Sequence, residues 1–370
     1  MHTVCLGVFK RLFKYWFSCR GILKQFIHEI DMNLLRIRPP SFVPKAPRSI
    51  LLWRMWHANE FLVFFLYYAL PLFHELMDVD YFENLIKLVV SIEYLLNRRI
   101  EKSKLEYVQI LLVTFLKDAE HLYEETLLVS NFHELIHLVQ ATKDFGPLNN
   151  INCFQFEETN RQILSYIHSY DLIGDEFLKV FLTSQTLMLF KKSTKRKNLD
   201  RFLSNFEIKS SNIKQVEAND FILKKRESNI NLSANFENLF YEYFKFKTIE
   251  TSLNTCKSFV YKNAVYTNDN AKTKFNDSFI CTKEGVFGKI EKILILNESV
   301  FVIVRKISKL LSSYFIKTIP SVKSSIFLSF FTDEYFITEI VNIKKAFFIK
   351  KNQETSFFFM STFVMSHLFH

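Results

Sequence analysis

Residues 131–160 read NFHELIHLVQATKDFGPLNNINCFQFEETN and contain His133-Glu134-Leu135-Ile136-His137, an H-E-x-x-H pattern. Two histidines one helical turn apart can share a zinc ion, and the intervening glutamate can activate a metal-bound water. Glu157 follows 20 residues after His137, a spacing suited to a third, carboxylate ligand. These residues alone describe a zinc metallopeptidase with His133, His137 and Glu157 as ligands and Glu134 as base. The same stretch also reads as an ordinary amphipathic helix, with Leu135, Ile136, Leu138 and Val139 inward and the histidines at its polar edge.

The elements that must position these groups are helical from residue 1 to about 190. Leu105, Val108, Leu112, Phe115, Ala119 and Leu122 recur at spacings of three and four, which predicts an amphipathic helix over 105–128. Similar stripes run through 3–30, 56–76, 80–97 and 160–190. Four prolines within 36–49 interrupt them, because proline lacks a backbone donor and cannot continue a helix. The run Phe61–Phe73 has 13 residues, short of the roughly 20 that span a bilayer, and reads as a buried core helix. No segment is expected to cross a membrane. The first 28 residues hold Lys10, Arg11, Lys14, Arg20 and Lys24 and no acid, a pattern shared by mitochondrial presequences and by common basic amphipathic helices.

Composition then changes. Residues 191–226 carry eleven Lys and Arg against four Asp and Glu, and 191–257 is expected to be a basic, flexible linker. Lys191, Lys192, Lys195, Arg196 and Lys197 form a cluster suited to phosphate contacts or nuclear localisation. From 258 to 370 the period becomes that of strands, with turn signals at Lys283-Glu284-Gly285 and Asn297-Glu298. The fold class expected is α+β: a helical region 1–190, the linker, and a small antiparallel barrel or sandwich of five or six strands. A net charge of +10 and a pI near 9.1 suit an acidic partner. Five cysteines with no C-x-x-C spacing are expected to be reduced thiols of an intracellular protein.

Four short blocks, in order, resemble the C-terminal half of CACTA-like DNA-transposon transposases. They are MHTVCLGVFKRL at 1–12, WHANEFLVFFLYYALPLF at 56–73, NFHELIHL at 131–138, and FGPL at 145–148 with FQFE at 154–157. The resemblance implies an RNase H-like core that cuts DNA with three carboxylates, Asp-Asp-Glu, holding two Mg²⁺ or Mn²⁺ ions. Glu157 falls on the third carboxylate. His133 and His137 fall on a histidine pair that helps hold zinc in related recombinases, and His2 on the histidine of a D-x-x-H block. The strand-rich tail resembles the β-module that ends such transposases.

The chain departs from that pattern in two ways. It starts at the Met of the D-x-M-H block, so neither catalytic Asp lies within these 370 residues, and the zinc-completing C-x-x-C is missing. One carboxylate of three cannot hold two metals. The expectation is a transposase remnant without cleavage of its own, at most a nuclear DNA-binding protein. Its partners would be DNA and a full-length transposase or a second copy of itself, with neither a membrane nor a small-molecule substrate. The alternatives are the zinc peptidase and a non-catalytic interaction protein.

Overall fold

The computed structural model describes residues 3–18, 21–43, 45–123, 128–151, 154–168, 171–193, 213–214, 221–228, 233–245, 254–261, 264–268, 274–296, 299–309, 326–350 and 357–361. The protein is α+β, mostly helical in its N-terminal half, with an antiparallel sheet towards the C-terminus. It divides into two compact units, one of residues 1–151 with 215–370 and the other of 152–214.

The larger unit opens with a π-helical segment, Thr3–Phe9, that runs into α1 (Lys10–Phe17), followed by α2 (Ile27–Arg36). The proline segment then leads to α3 (Ala58–Val63), a π-helical turn Phe64–Tyr68, and α4 (Ala69–Phe73). Every side chain from Phe61 to Phe73 is buried, as expected for this apolar run. Among the described residues no helix is long and apolar enough to cross a membrane. The stripes at 80–97 and 105–128 form α5 (Val79–Leu96) and α6 (Leu105–Leu122). Asp78 caps α5 by accepting from the Asp80 N–H at 3.1 Å. Buried Asn84 of α5 donates to the Phe115 carbonyl of α6 at 2.9 Å, and Lys87 pairs with Asp118 at 2.9 Å.

The histidine segment comprises α7 (Ser130–His133), a 3₁₀ turn Glu134–His137, and α8 (Leu138–Phe145). Gly146 ends α8 at φ +81°, a left-handed conformation that glycine adopts without a Cβ clash. The other unit contains α9 (Phe154–Ser165) and α10 (Ile173–Ser193), and the short strand β1 (Ile213–Lys214).

The stretch expected as a flexible linker contains ordered elements of the larger unit. Residues Phe221–Ser228 form β2 and Ala234–Phe244 form α11. Then come β3 (Asn254–Tyr261), β4 (Ala264–Thr267), β5 (Phe279–Thr282), β6 (Phe287–Leu296), β7 (Ser299–Lys309), β8 (Ile326–Glu339), β9 (Ile343–Lys350) and β10 (Phe357–Ser361). The order from β2 is β2-β3-β6-β5-β9-β10-β8-β7, with β4 on β3 and a further pairing of β6 with β7. This single antiparallel sheet is larger than the five or six strands expected. It extends outward through β3 to β2 and β4. Phe259, Ile290, Ile293, Val302, Val304 and Ile343 share one apolar cluster, so strands far apart in the order meet over one face. On the other face α11 buries Phe240 against Leu294, Ile303 and Ile337.

Hydrogen bonds join the helical half of this unit to its sheet. The Asn276 N–H donates to the Pro39 carbonyl at 2.9 Å, and the Ser41 N–H donates to Asp277 Oδ1 at 2.9 Å. The prolines that break the helix thus present an extended edge to the sheet side.

Phe13 is fully buried, with the rings of Phe9, Phe61, Phe64 and Trp56 centred 5.1, 5.6, 5.0 and 5.7 Å away. Gly7, one turn before this cluster, lies against Asn131. A Cβ there would come within 2.6 Å of Asn131 Nδ2 and 2.9 Å of its Cβ, so the contact cannot be relieved by turning the amide away. Gly7→Ala is expected to destabilise the protein by about 1–3 kcal/mol, the usual cost of overpacking, in urea unfolding. Asn131→Ala in the same chain should recover part of that loss, and an unchanged midpoint for Gly7→Ala would contradict the close approach.

Candidate metal centre at the histidine pair

The peptide from Ser130 to Phe145 is anchored by Phe132, Leu135 and Val139, all buried. Phe132 stacks on Phe115 of α6 with ring centroids 6.3 Å apart. With those three inward, His133, Glu134 and His137 face outward and are exposed. The 3₁₀ turn between the histidines still brings their rings together. Nε2 of His137 lies 3.4 Å from Nε2 of His133, and the ring planes are 75° apart.

That separation suits either of two arrangements. A neutral pair can share one N–H···N hydrogen bond, or both nitrogens can face one ion. A tetrahedral zinc with nitrogens at about 2.0–2.1 Å holds them about 3.3–3.4 Å apart. The pair therefore fits two corners of a tetrahedral site. The remaining corners have no protein donor among the described residues, where no group of three or more His, Cys, Asp or Glu is placed to hold an ion. Glu134 is exposed beside the pair.

The other residues singled out from the sequence lie elsewhere. Glu157 has its backbone in α9, in the smaller unit, and its side chain lies outside what is described, as do the side chains of Lys191 and Lys192 at the end of α10. His2, Lys195, Arg196 and Lys197 lie outside the described residues. Cys5 is buried against the same core, and burial pushes its thiol up to about 12, which keeps it protonated and unsuited to metal binding at neutral pH.

One feature of this region was missed in the sequence. His133 sits at the edge of a half-open groove of about 400 Å³ lined also by Val113, Leu116, Lys117, Glu120 and Ile136. Glu60 accepts from the His57 N–H at 2.8 Å and pairs with Arg48 at 3.4 Å, so it braces the start of α3. The pattern Trp56-x-x-x-Glu60-Phe61 carried that signal: a ring, a helix-start acid and a second ring.

No known protein family, no curated protein and no solved structure matches this chain. If the histidines act as a bidentate clamp, Zn²⁺ at a hundredfold excess over its dissociation constant should stabilise the fold by about 2.7 kcal/mol. His137→Ala should abolish the shift in thermal unfolding. An equal shift in the variant would place the metal elsewhere.

Proposed function

We propose that this chain is the C-terminal part of a CACTA-like Asp-Asp-Glu transposase, carrying a portion of its RNase H-like core, and that its residual activity is nuclear DNA binding without cleavage. One observation supports the reading above the rest. Three separate sequence blocks that carry the resemblance pack on one another: Gly7 against Asn131, and Phe9 and Phe13 against Trp56, Phe61 and Phe64. Residues brought together in this way share one core, which supports reading the blocks as parts of one unit.

In this reading Glu157 is the one carboxylate of the three that residues 1–370 supply. Mg²⁺ or Mn²⁺ would supply the charge that activates water and stabilises the leaving oxygen. Lys191, Lys192, Lys195, Arg196 and Lys197 contact phosphates, giving binding set by charge and not by base sequence. A full-length transposase or a second copy would be the protein partner.

The histidine separation of 3.4 Å favours a second reading, the zinc peptidase. It needs Glu157 as third ligand and Glu134 as base, and it predicts that Glu134→Gln loses peptide hydrolysis while keeping bound zinc.

The transposase reading is tested with the full chain, a labelled duplex and Mg²⁺ or Mn²⁺. Duplex binding should weaken with salt on a log–log slope of up to about −4.5, since each of the five cations releases about 0.9 counterion. Replacing the five by alanine should flatten the slope towards zero. Duplex binding that ignores salt, or cleavage of the duplex by these residues alone, would contradict the reading.

A further inference from the structure

We propose that the half-open cavity between residues 45–48 and the start of α3 binds a small, uncharged molecule that carries a carboxamide on an apolar body. The inference stands apart from the transposase reading, which makes no use of this cavity.

The proline segment forms one wall. Residues 45–48 face Leu34 of α2, Asn59 and Val63 of α3, and Phe64 of the π-helical turn across a space of about 40 Å³. Arg48 fixes that wall, since it pairs with Glu60 at 3.4 Å and donates to the Met55 carbonyl at 3.2 Å. The space is therefore formed before a ligand arrives, as small-molecule sites commonly are.

Two residues of the lining carry polar atoms without partners. Trp56 is only 5% exposed, and its Nε1–H donor is buried with no acceptor among the described residues. Asn59, half-buried and close by on α3, has a buried Oδ1 acceptor with no donor among them. Buried donors and acceptors in folded proteins are nearly always met by protein, water or ligand. Water alone answers this site poorly. An ordered water needs about 10–15 Å³ and two to four polar partners, and the cavity offers roughly three times that room. The side chains of Leu34, Pro47, Val63 and Phe64 present only carbon to the remainder. A molecule with a polar head and an apolar body fills the whole.

The two orphan atoms select the head. A carboxamide has an oxygen to accept from Trp56 and an N–H to give to Asn59, side by side in one flat group. A carboxylate can only accept, and would set its charge against the Asn59 oxygen. The charged residues of the lining do not call for an ion, because Arg48 and Glu60 are paired with each other and Lys45 is exposed to water.

The probe is benzamide, titrated into the full chain labelled with ¹⁵N and followed through its tryptophan indole N–H signals. The chain has three tryptophans, and the signal of Trp56 is identified by its loss in Trp56→Phe. Benzamide should move that signal downfield and saturate, with a dissociation constant of about 1 mM or tighter, a range open to a ligand this small. Benzoate and toluene should bind at least about tenfold more weakly, each lacking a hydrogen bond that benzamide makes. Asn59→Leu, close in shape, should weaken benzamide about tenfold for the same reason. Val63→Phe, which fills the cavity, should abolish the shift. Should Val63→Phe fail to fold, Asn59→Leu carries the test. An unmoved Trp56 signal, as from a cavity that holds water alone, would overturn the proposal. So would benzoate or toluene binding as tightly as benzamide, or an unchanged affinity in Asn59→Leu.

Discussion

The larger unit depends on burying a dense set of aromatic rings around Phe13. Burial of large rings contributes more per residue than any other side chain, and here the rings come from α1, from the segment before α3, and from the helical run Phe61–Phe73. The backbone widens into π-helical turns at Thr3–Phe9 and Phe64–Tyr68, which carry Phe9 and Phe64 of this cluster. The same tightness sets the approach of Gly7 to Asn131, and so fixes where the histidine segment begins. His133 and His137 owe their position to this core: Phe132, Leu135 and Val139 are held inward, and the histidines are left outward as a pair.

The sheet of this unit is attached in part through polar contacts. The extended proline segment cannot satisfy itself with helix hydrogen bonds, and it offers the Pro39 carbonyl and Ser41 N–H to Asn276 and Asp277. Asp31 performs a comparable task on the other side of that segment, accepting the Ile50 N–H at 2.7 Å from a buried carboxylate. Both ends of the proline stretch are thus tied by backbone groups that would otherwise lack partners.

Much of the helical half was legible in the sequence because its signals are strong and regular. The stripe from Leu105 reads directly as α6, although the helix stops at Leu122, short of the 128 expected. The 13-residue apolar run reads correctly as buried. The region called a linker misled because its Lys, Ser and Asn content dominates any window. Within it, Phe236, Leu239, Phe240 and Phe244 are spaced as one face of a helix, and Phe221, Leu223 and the pairing with β3 make a strand. The convergence of the two histidines was legible, but the 3₁₀ turn that carries it was not. H-E-x-x-H spacing assumes a regular α-helix, whereas the convergence of the two rings comes from a local 3₁₀ turn.

The functional account turns on whether this chain derives from an Asp-Asp-Glu transposase. Reading the genomic DNA upstream of the Met1 codon tests that most directly. The account predicts an aspartate codon two positions before Met1, and further strand-like segments with aspartates beyond it, either in frame or as decayed sequence. Upstream DNA that bears no trace of these segments would contradict it.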